Sequence, residues 1–209
     1  LTKVGLCDDD LVELAQIEVE DHIVGTFLEG APVIRVDALS GIGIDVLQSE
    51  LDALAEKLSA SEDRDRPRLW IDRVFSAKGA GTVVTGTLTD GSLKVDDELQ
   101  LLPQKRQVRI RALQNHYEEC SDLPAGSRCA VNLSGVNHDE IVRGDVLVRD
   151  NQWHESSIFD ASLHVLNQLG HSVSRKGAYV LYVGSGEHSA RMRVLGSEEL
   201  LPGSSGSVR

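Results

Sequence analysis

Nowhere in the 209 residues is there an apolar run of about eighteen, the length a membrane helix needs, nor a charged-then-apolar leader. Neither a membrane span nor a signal peptide is expected. Cysteine is scarce: Cys7, Cys120 and Cys129 are odd in number and lack CxxC spacing. That excludes a disulfide framework and a zinc finger and fits a reducing cytosol. Histidines stand at 22, 116, 138, 154, 164, 171 and 188 without an HxxxH or HExxH pair, so no metal site is expected. No GxSxG nucleophile elbow occurs, and adjacent carboxylates fall only in turns and helix starts. No catalytic constellation emerges, and the chain reads as a binding module rather than an enzyme. The 209 residues also hold no GxxxxGK[ST] loop and no DxxG, so the backbone cradle and lysine that bind nucleotide phosphates are missing from them.

What is present is unevenly charged. The net charge of −12 resides almost wholly in residues 1–66, with 16 acidic and 5 basic side chains. Residues 67–151 carry 12 acidic and 11 basic, and residues 152–209 carry 5 of each. Local basic groups in the neutral remainder could face phosphate. Lys105, Arg106, Arg109 and Arg111 form one such group, unless 109 and 111 merely share a solvated strand face.

Asp8, Asp9 and Asp10 suit the start of a helix running from 11 to about 24, as caps and against the helix dipole. A short β-run at 32–36 leads through Ser40-Gly-Ile-Gly43 into a second helix, with Leu47, Leu51, Leu54 and Leu58 at helical spacing. Strand, turn and helix in that order are the tail of an α/β sheet unit too small to be complete. Residues 61–67, charged and ending in proline, read as a linker.

From residue 68 the period changes to two. Residues 69–75 form a β-rich run in which Leu69, Ile71, Arg73 and Phe75 share one face. A Gly-rich bend at 78–81 follows, then 82–89, β-branched almost throughout. Asp90-Gly91 reads as a tight turn, with Gly supplying positive φ. Further strands are expected at 92–95, 98–102, 108–114, 128–133 and 145–148, and short strands closed by Gly and Asp turns predict a small β-barrel. A second β set is expected at 158–166, 178–183 and 189–195. The last segment, ending as another strand starts, is expected to lack a strand and leave an unpaired edge.

The string IDRVFSAKGAGTVVTGTLTDGSLKVDDEL resembles the start of the second domain of translational GTPases of the elongation factor Tu group, and within it the bacterial selenocysteine-specific elongation factors. Pro124-Ala-Gly126 and Ile141-Val-Arg-Gly-Asp-Val-Leu147 are similar to later turns of the same domain, where Arg143 reads as turn-stabilising. The resemblance implies a mainly β fold: two consecutive small antiparallel β-barrels, translation-factor domains II and III, preceded by an α/β remnant of a GTP-binding domain. The boundaries are 1–60 for the remnant, 61–67 for the linker, 68–151 for domain II and 152–209 for an incomplete domain III. Thr2-Lys-Val-Gly5 sits where this family reads guanine with [N/T]KxD, and Val36-Asp-Ala-Leu-Ser-Gly41 where a Ser-Ala loop supports the base. Thr2, Lys3 and Ala38 match a guanine-binding remnant. Gly5 replaces the aspartate that accepts from guanine N1 and N2, and Asp37 stands in the serine position.

The resemblance further implies a fragment of a GTP-dependent factor that binds selenocysteyl-tRNA and delivers it to the ribosome. The intact protein would use GTP and Mg²⁺ and read an mRNA hairpin through domains not present here. This fragment is expected to hold no cofactor, to hydrolyse no GTP and to be cytoplasmic. Asp72, Arg73 and Arg128 match the family's selenocysteine pocket, with Asp72 orienting an arginine. Two alternatives stay open: a general carrier of elongator aminoacyl-tRNA, and a β-barrel interaction module without an RNA ligand.

Overall fold

The computed structural model describes residues 1–77, 79 and 81–209; Lys78 and Ala80, in the bend expected at 78–81, lie outside the described residues. Contacts divide the chain into two compact units. One comprises Ala60–Phe159 and Ala178–Arg191; the other comprises Leu1–Ser59, Asp160–Gly177 and Met192–Arg209. Residues 152–159 and 178–191 thus pack with the segment expected as the first barrel.

In the first of these units, β1 (Arg68–Ala77), β2 (Gly81–Thr89), β4 (Glu98–Leu102), β5 (Arg106–Asn115), β8 (Arg128–Ser134) and β9 (Val146–Val148) form a closed antiparallel ring. Its order is β4-β9-β1-β2-β8-β5, with β4 pairing back onto β5. Short strands complete it: β6 (Glu118–Cys120) on β5, and β3 (Leu93–Lys94) paired with β7 (Asp122–Leu123). Alternation explains the closure, because Val84 and Leu88 of β2, Leu99 and Leu101 of β4, and Val131 and Leu133 of β8 all point into one buried core. Each such side chain contributes about 1.5–3 kcal/mol relative to exposure.

Two bulges interrupt that alternation. Between β1 and β2 the register runs from Ile71↔Gly86 to Arg73↔Thr85, leaving Asp72 as the extra residue. One extra residue exchanges the faces of everything beyond it. Leu69 and Ile71 are buried and Val74 packs against the core, while Arg73 is exposed and Phe75 is 45% exposed. The expected shared face of Leu69, Ile71, Arg73 and Phe75 therefore breaks at Asp72. Between β5 and β8 the same shift occurs at Arg111, between Ile110↔Leu133 and Ala112↔Asn132.

The turn after β2 also differs in detail. Asp90, not Gly91, takes the positive φ, at 61°. Gly91 is required for a different reason: a Cβ there would lie 2.5 Å from the Pro67 nitrogen. The stretch read as a linker is fastened along the barrel. The backbone N–H groups of Arg64 and Arg66 donate to Asp90 O at 3.1 and 2.9 Å. Trp153 sits beneath the guanidinium groups of Arg66 and Arg68, at 4.5 and 4.1 Å from its ring centroid.

A hairpin, β12 (Tyr179–Val183) and β13 (Gly186–Ala190), belongs to the same unit. Its strand at 186–190 replaces the one expected at 189–195. Gly184 at its tip lies so close to Trp70 that a Cβ would stand 2.1 Å from the indole ring. Ser185 Oγ donates to Ile71 O at 2.6 Å, and Arg143 Nε donates to Ser185 O at 3.0 Å. Arg143 thus stabilises a turn, as its position in the sequence predicts.

In the other unit, α1 (Asp9–Ile23) begins at the Asp8 cap, whose side chain accepts from Leu11 N at 2.9 Å. Helix α2 (Ile44–Lys57) follows. The β-run expected at 32–36 forms only a parallel bridge, Thr2↔Val36. Both helices leave apolar stripes uncovered: Leu14 on α1 and Val46, Leu51 and Leu54 on α2 are all exposed, and only Val12 is buried. The same unit holds β10 (Ala161–His164) paired with β15 (Ser205–Val208), and β11 (Val173–Ser174) paired with β14 (Glu199–Leu200). Past β15, Arg193 and Arg209 exchange backbone N–H···O bonds of 2.8 Å.

Candidate functional site

The bulge delivers Asp72 to the outer face of the barrel. β2 lies between β1 and β8, and Thr85 and Thr87 present short side chains between them. Strands two places apart are about 10 Å from one another, a gap that a long arginine can span. Arg128, the first residue of β8, does so: its Nη1 donates to Asp72 Oδ2 across β2. Thr85 Oγ1 donates to Asp72 Oδ1 at 2.7 Å. Both carboxylate oxygens are therefore engaged.

Burial pushes the Asp72 carboxyl up, but hydrogen bonds from Arg128 and Thr85 and the charges of Arg128 and Arg73 outweigh it, leaving it below the ordinary 3.8. The hydrogen bond to Asp72 raises Arg128 above its already high value. Arg73 is close enough to act on Asp72 by charge, yet among the described residues it has no ion pair or hydrogen bond. Asp72, Arg73 and Arg128 are thus brought together as one group with a net charge of +1, suited to a monoanion. The fixed carboxylate holds Arg128 in place, and Arg73 supplies the unmatched cation.

Asp72, held below its ordinary value, stabilises the fold fully above the normal carboxylate range. That contribution is lost as pH falls through its folded value. Because both partners reach solvent, it amounts to about 1 kcal/mol at most. Urea unfolding at pH 7 and near pH 3 is expected to show a smaller acid loss in Asp72→Asn than in the unaltered chain. Equal losses would mean that the ion pair adds nothing.

The basic group at 105–111 is largely neutralised where it stands. Arg106 pairs with Glu140, Arg109 Nη2 meets Asp96 Oδ1 at 2.9 Å, and Lys105 Nζ lies 3.9 Å from Glu155 Oε2. Such pairing leaves little of it to attract phosphate. Among the described residues no cluster of three His, Cys, Asp or Glu is arranged to hold a metal, and no helix is long and apolar enough to cross a membrane. Burial pushes the Cys129 thiol up to about 12, so it is an inert core residue.

Thr2, Lys3 and Ala38 lie on two adjoining segments tied by the Thr2↔Val36 bridge and by Val4 N donating to Val36 O at 3.3 Å. Lys3 adopts a left-handed φ of 61°. Gly5 faces Asp37, whose carboxylate accepts from Ser40 N at 3.0 Å and from Ser40 Oγ at 2.5 Å. Sequence reasoning singled out neither Thr85 nor Ser185, the residues that fix the bulge. The only trace of them was a polar Asp72 inside an apolar run.

The elongation factor Tu domain 2 family matches residues 81–148. A selenocysteine-specific elongation factor from Desulfomicrobium baculatum is 34% identical over 203 residues, 97% of this chain and 32% of that protein. The chain thus spans about a third of that relative's length. Among solved structures, translation elongation factor SelB from Methanococcus maripaludis, in its apo form, matches 99% of this chain and 49% of its own, with a TM-score of 0.79 at 22% identity, a likeness of fold. A bacterial selenocysteine-specific elongation factor, EF-Sec, matches all of this chain and 34% of its own, with a TM-score of 0.75 at 25% identity.

Proposed function

We propose, from the membership of residues 81–148 in the elongation factor Tu domain 2 family and the likeness of the whole chain to selenocysteine-specific elongation factors, that this chain is part of such a factor and holds the aminoacyl end of selenocysteyl-tRNA. The observation that carries the reading is the Asp72–Arg128 bridge over β2 beside an unmatched Arg73. A selenol is more acidic than a thiol, whose free pKa is about 8.5, so selenocysteine is largely anionic at neutral pH while serine stays neutral. Size separates the two side chains poorly, and charge separates them well. A guanidinium pair with one compensating carboxylate favours the selenolate without becoming a general phosphate trap.

The rest of the function follows from the same premise. The intact protein carries GTP and Mg²⁺, meets the ribosome in the cytoplasm, and reads an mRNA hairpin through regions outside these 209 residues. Thr2, Lys3 and Ala38 belong to its guanine site; the phosphate loop is not within this chain. The uncovered stripes of α1 and α2 suit helices that pack on the rest of an α/β domain in a longer protein. A general elongator-tRNA carrier is disfavoured by Arg73, which stands where such carriers have an acidic residue.

The test replaces Arg73 and Arg128 singly by alanine in the full-length factor and measures affinity for selenocysteyl-tRNA and seryl-tRNA side by side. Loss of one desolvated charge-assisted bond is expected to weaken the selenocysteyl form roughly 10- to 100-fold, leaving the seryl form nearly unchanged. An equal fall in both would assign the arginines to tRNA phosphate and defeat the proposal.

A further inference from the structure

We propose that Asp37 supplies, from the second of two adjoining loops, the carboxylate that reads a guanine edge, in place of the side chain that Gly5 lacks. This rests on the guanine-site part of the function proposed above. The two loops leave the carboxyl ends of parallel runs bridged at Thr2↔Val36, the place where α/β units bind ligands. Asp37 is only 7% exposed, an unusual setting for a carboxylate. A Cβ built on Gly5 would lie 2.8 Å from Asp37 Oδ2 and 3.2 Å from its Cγ. The Asp37 carboxylate therefore lies directly against the point from which any side chain at position 5 would start.

A role in the turn alone accounts for part of this. Ser40 N and Oγ bind Oδ2, and with the Leu39 backbone they hold the group ionised. A carboxylate nevertheless offers about four acceptor sites, so capacity remains after the turn is made. Turn formation also gives no reason for a buried charge to press on a glycine whose missing atom would touch it.

The chemistry sets the ligand. Guanine presents N1–H and N2–H₂ side by side, a donor pair matched to one carboxylate. Hypoxanthine keeps only the first, and xanthine puts an oxygen where the amino group stood. The order of affinity is therefore GDP, then IDP, then XDP. Glycine at 5 and aspartate at 37 also depend on each other, since carboxylates at both positions would clash and repel.

The experiment titrates the full-length factor and three variants, Asp37→Asn, Gly5→Asp and Gly5→Asp/Asp37→Ser, with GDP, IDP and XDP. Asp37→Asn is expected to lose roughly 10- to 100-fold in GDP affinity and to gain XDP binding, since its amide can donate to the xanthine oxygen. Gly5→Asp alone is expected to weaken GDP, and the double exchange to restore it to within about threefold, which also shows that the site folds. Unaltered GDP preference in Asp37→Asn, or a double exchange that restores nothing, would overturn the inference while leaving the guanine site intact. Failure of the unaltered factor to bind GDP at all would instead remove the guanine site, and this inference with it.

Discussion

Gly86→Ala is expected to destabilise the barrel by about 4 kcal/mol or more, among the largest effects a single methyl group can have. The added Cβ would lie 2.1 Å from Trp70 O, 3.0 Å from its carbonyl carbon and 3.2 Å from Leu69 Cγ. Two of these three are backbone atoms, which no rotamer change can move. Relief requires β1 and β2 to part beside the Asp72 bulge, in the wall that also carries Ile71 and Val84. For a chain of this size, 4 kcal/mol corresponds to a fall of about 10 °C or more in Tm. Gly81→Ala on the same strand is the control. Gly81 has a φ of +84° and nothing within 4 Å, so it reports the backbone cost alone, about 1 kcal/mol. Thermal melts by circular dichroism compare the two, and equal shifts would show that close approach is not what Gly86 serves.

Gly184→Val is expected to act as strongly but locally. Its φ of +58° already disfavours any side chain, and the Cβ would fall within 2.1–2.5 Å of three atoms of the Trp70 ring. The hairpin cannot keep its seat, and with it go the Ser185 bond to Ile71 O and the Arg143 bond to Ser185 O. A local loss of about 3 kcal/mol follows from overpacking alone. Hydrogen exchange is expected to show 179–190 losing protection while β2, β5 and β8 keep theirs. Collapse of all strands together would mean that the hairpin is integral to the barrel; an unchanged exchange pattern would mean that it was never held.

Much of the barrel was legible because alternation and turn residues are local signals. The strands expected at 69–75, 82–89, 98–102 and 128–133 fall within a few residues of β1, β2, β4 and β8. The face of Arg73 was not legible. A two-residue period carries no mark of an inserted residue, and Asp72 reads equally well as an outward-facing position. The run at 32–36 has strand composition, yet among the described residues its backbone pairs only with residues 1–4, on one side, which makes a single bridge and no strand. The hairpin at 179–190 packs with the barrel through Gly184 and Ser185, contacts more than a hundred residues distant in sequence, which no pattern of neighbours encodes. At the candidate site the residue identities came from resemblance, while the bridge over β2 and the Gly5–Asp37 juxtaposition required coordinates.

Asp72 also acts on the strand as an inserted letter acts on a reading frame. Positions before it count odd residues as inward, and positions after it count even ones. The bulge is what holds the two frames apart: in a regular strand that retained Asp72, Arg73 and Phe75 would come into phase with Leu69 and Ile71, and a guanidinium would be pressed into an apolar interior. Deletion of residue 72 would instead leave Ile71 opposite Gly86 and Arg73 opposite Thr85 in an unbroken ladder, with every face kept and only the carboxylate and the bend lost. Loss of the inserted residue is thus expected to keep Arg73 outward while freeing Arg128 from its partner across β2.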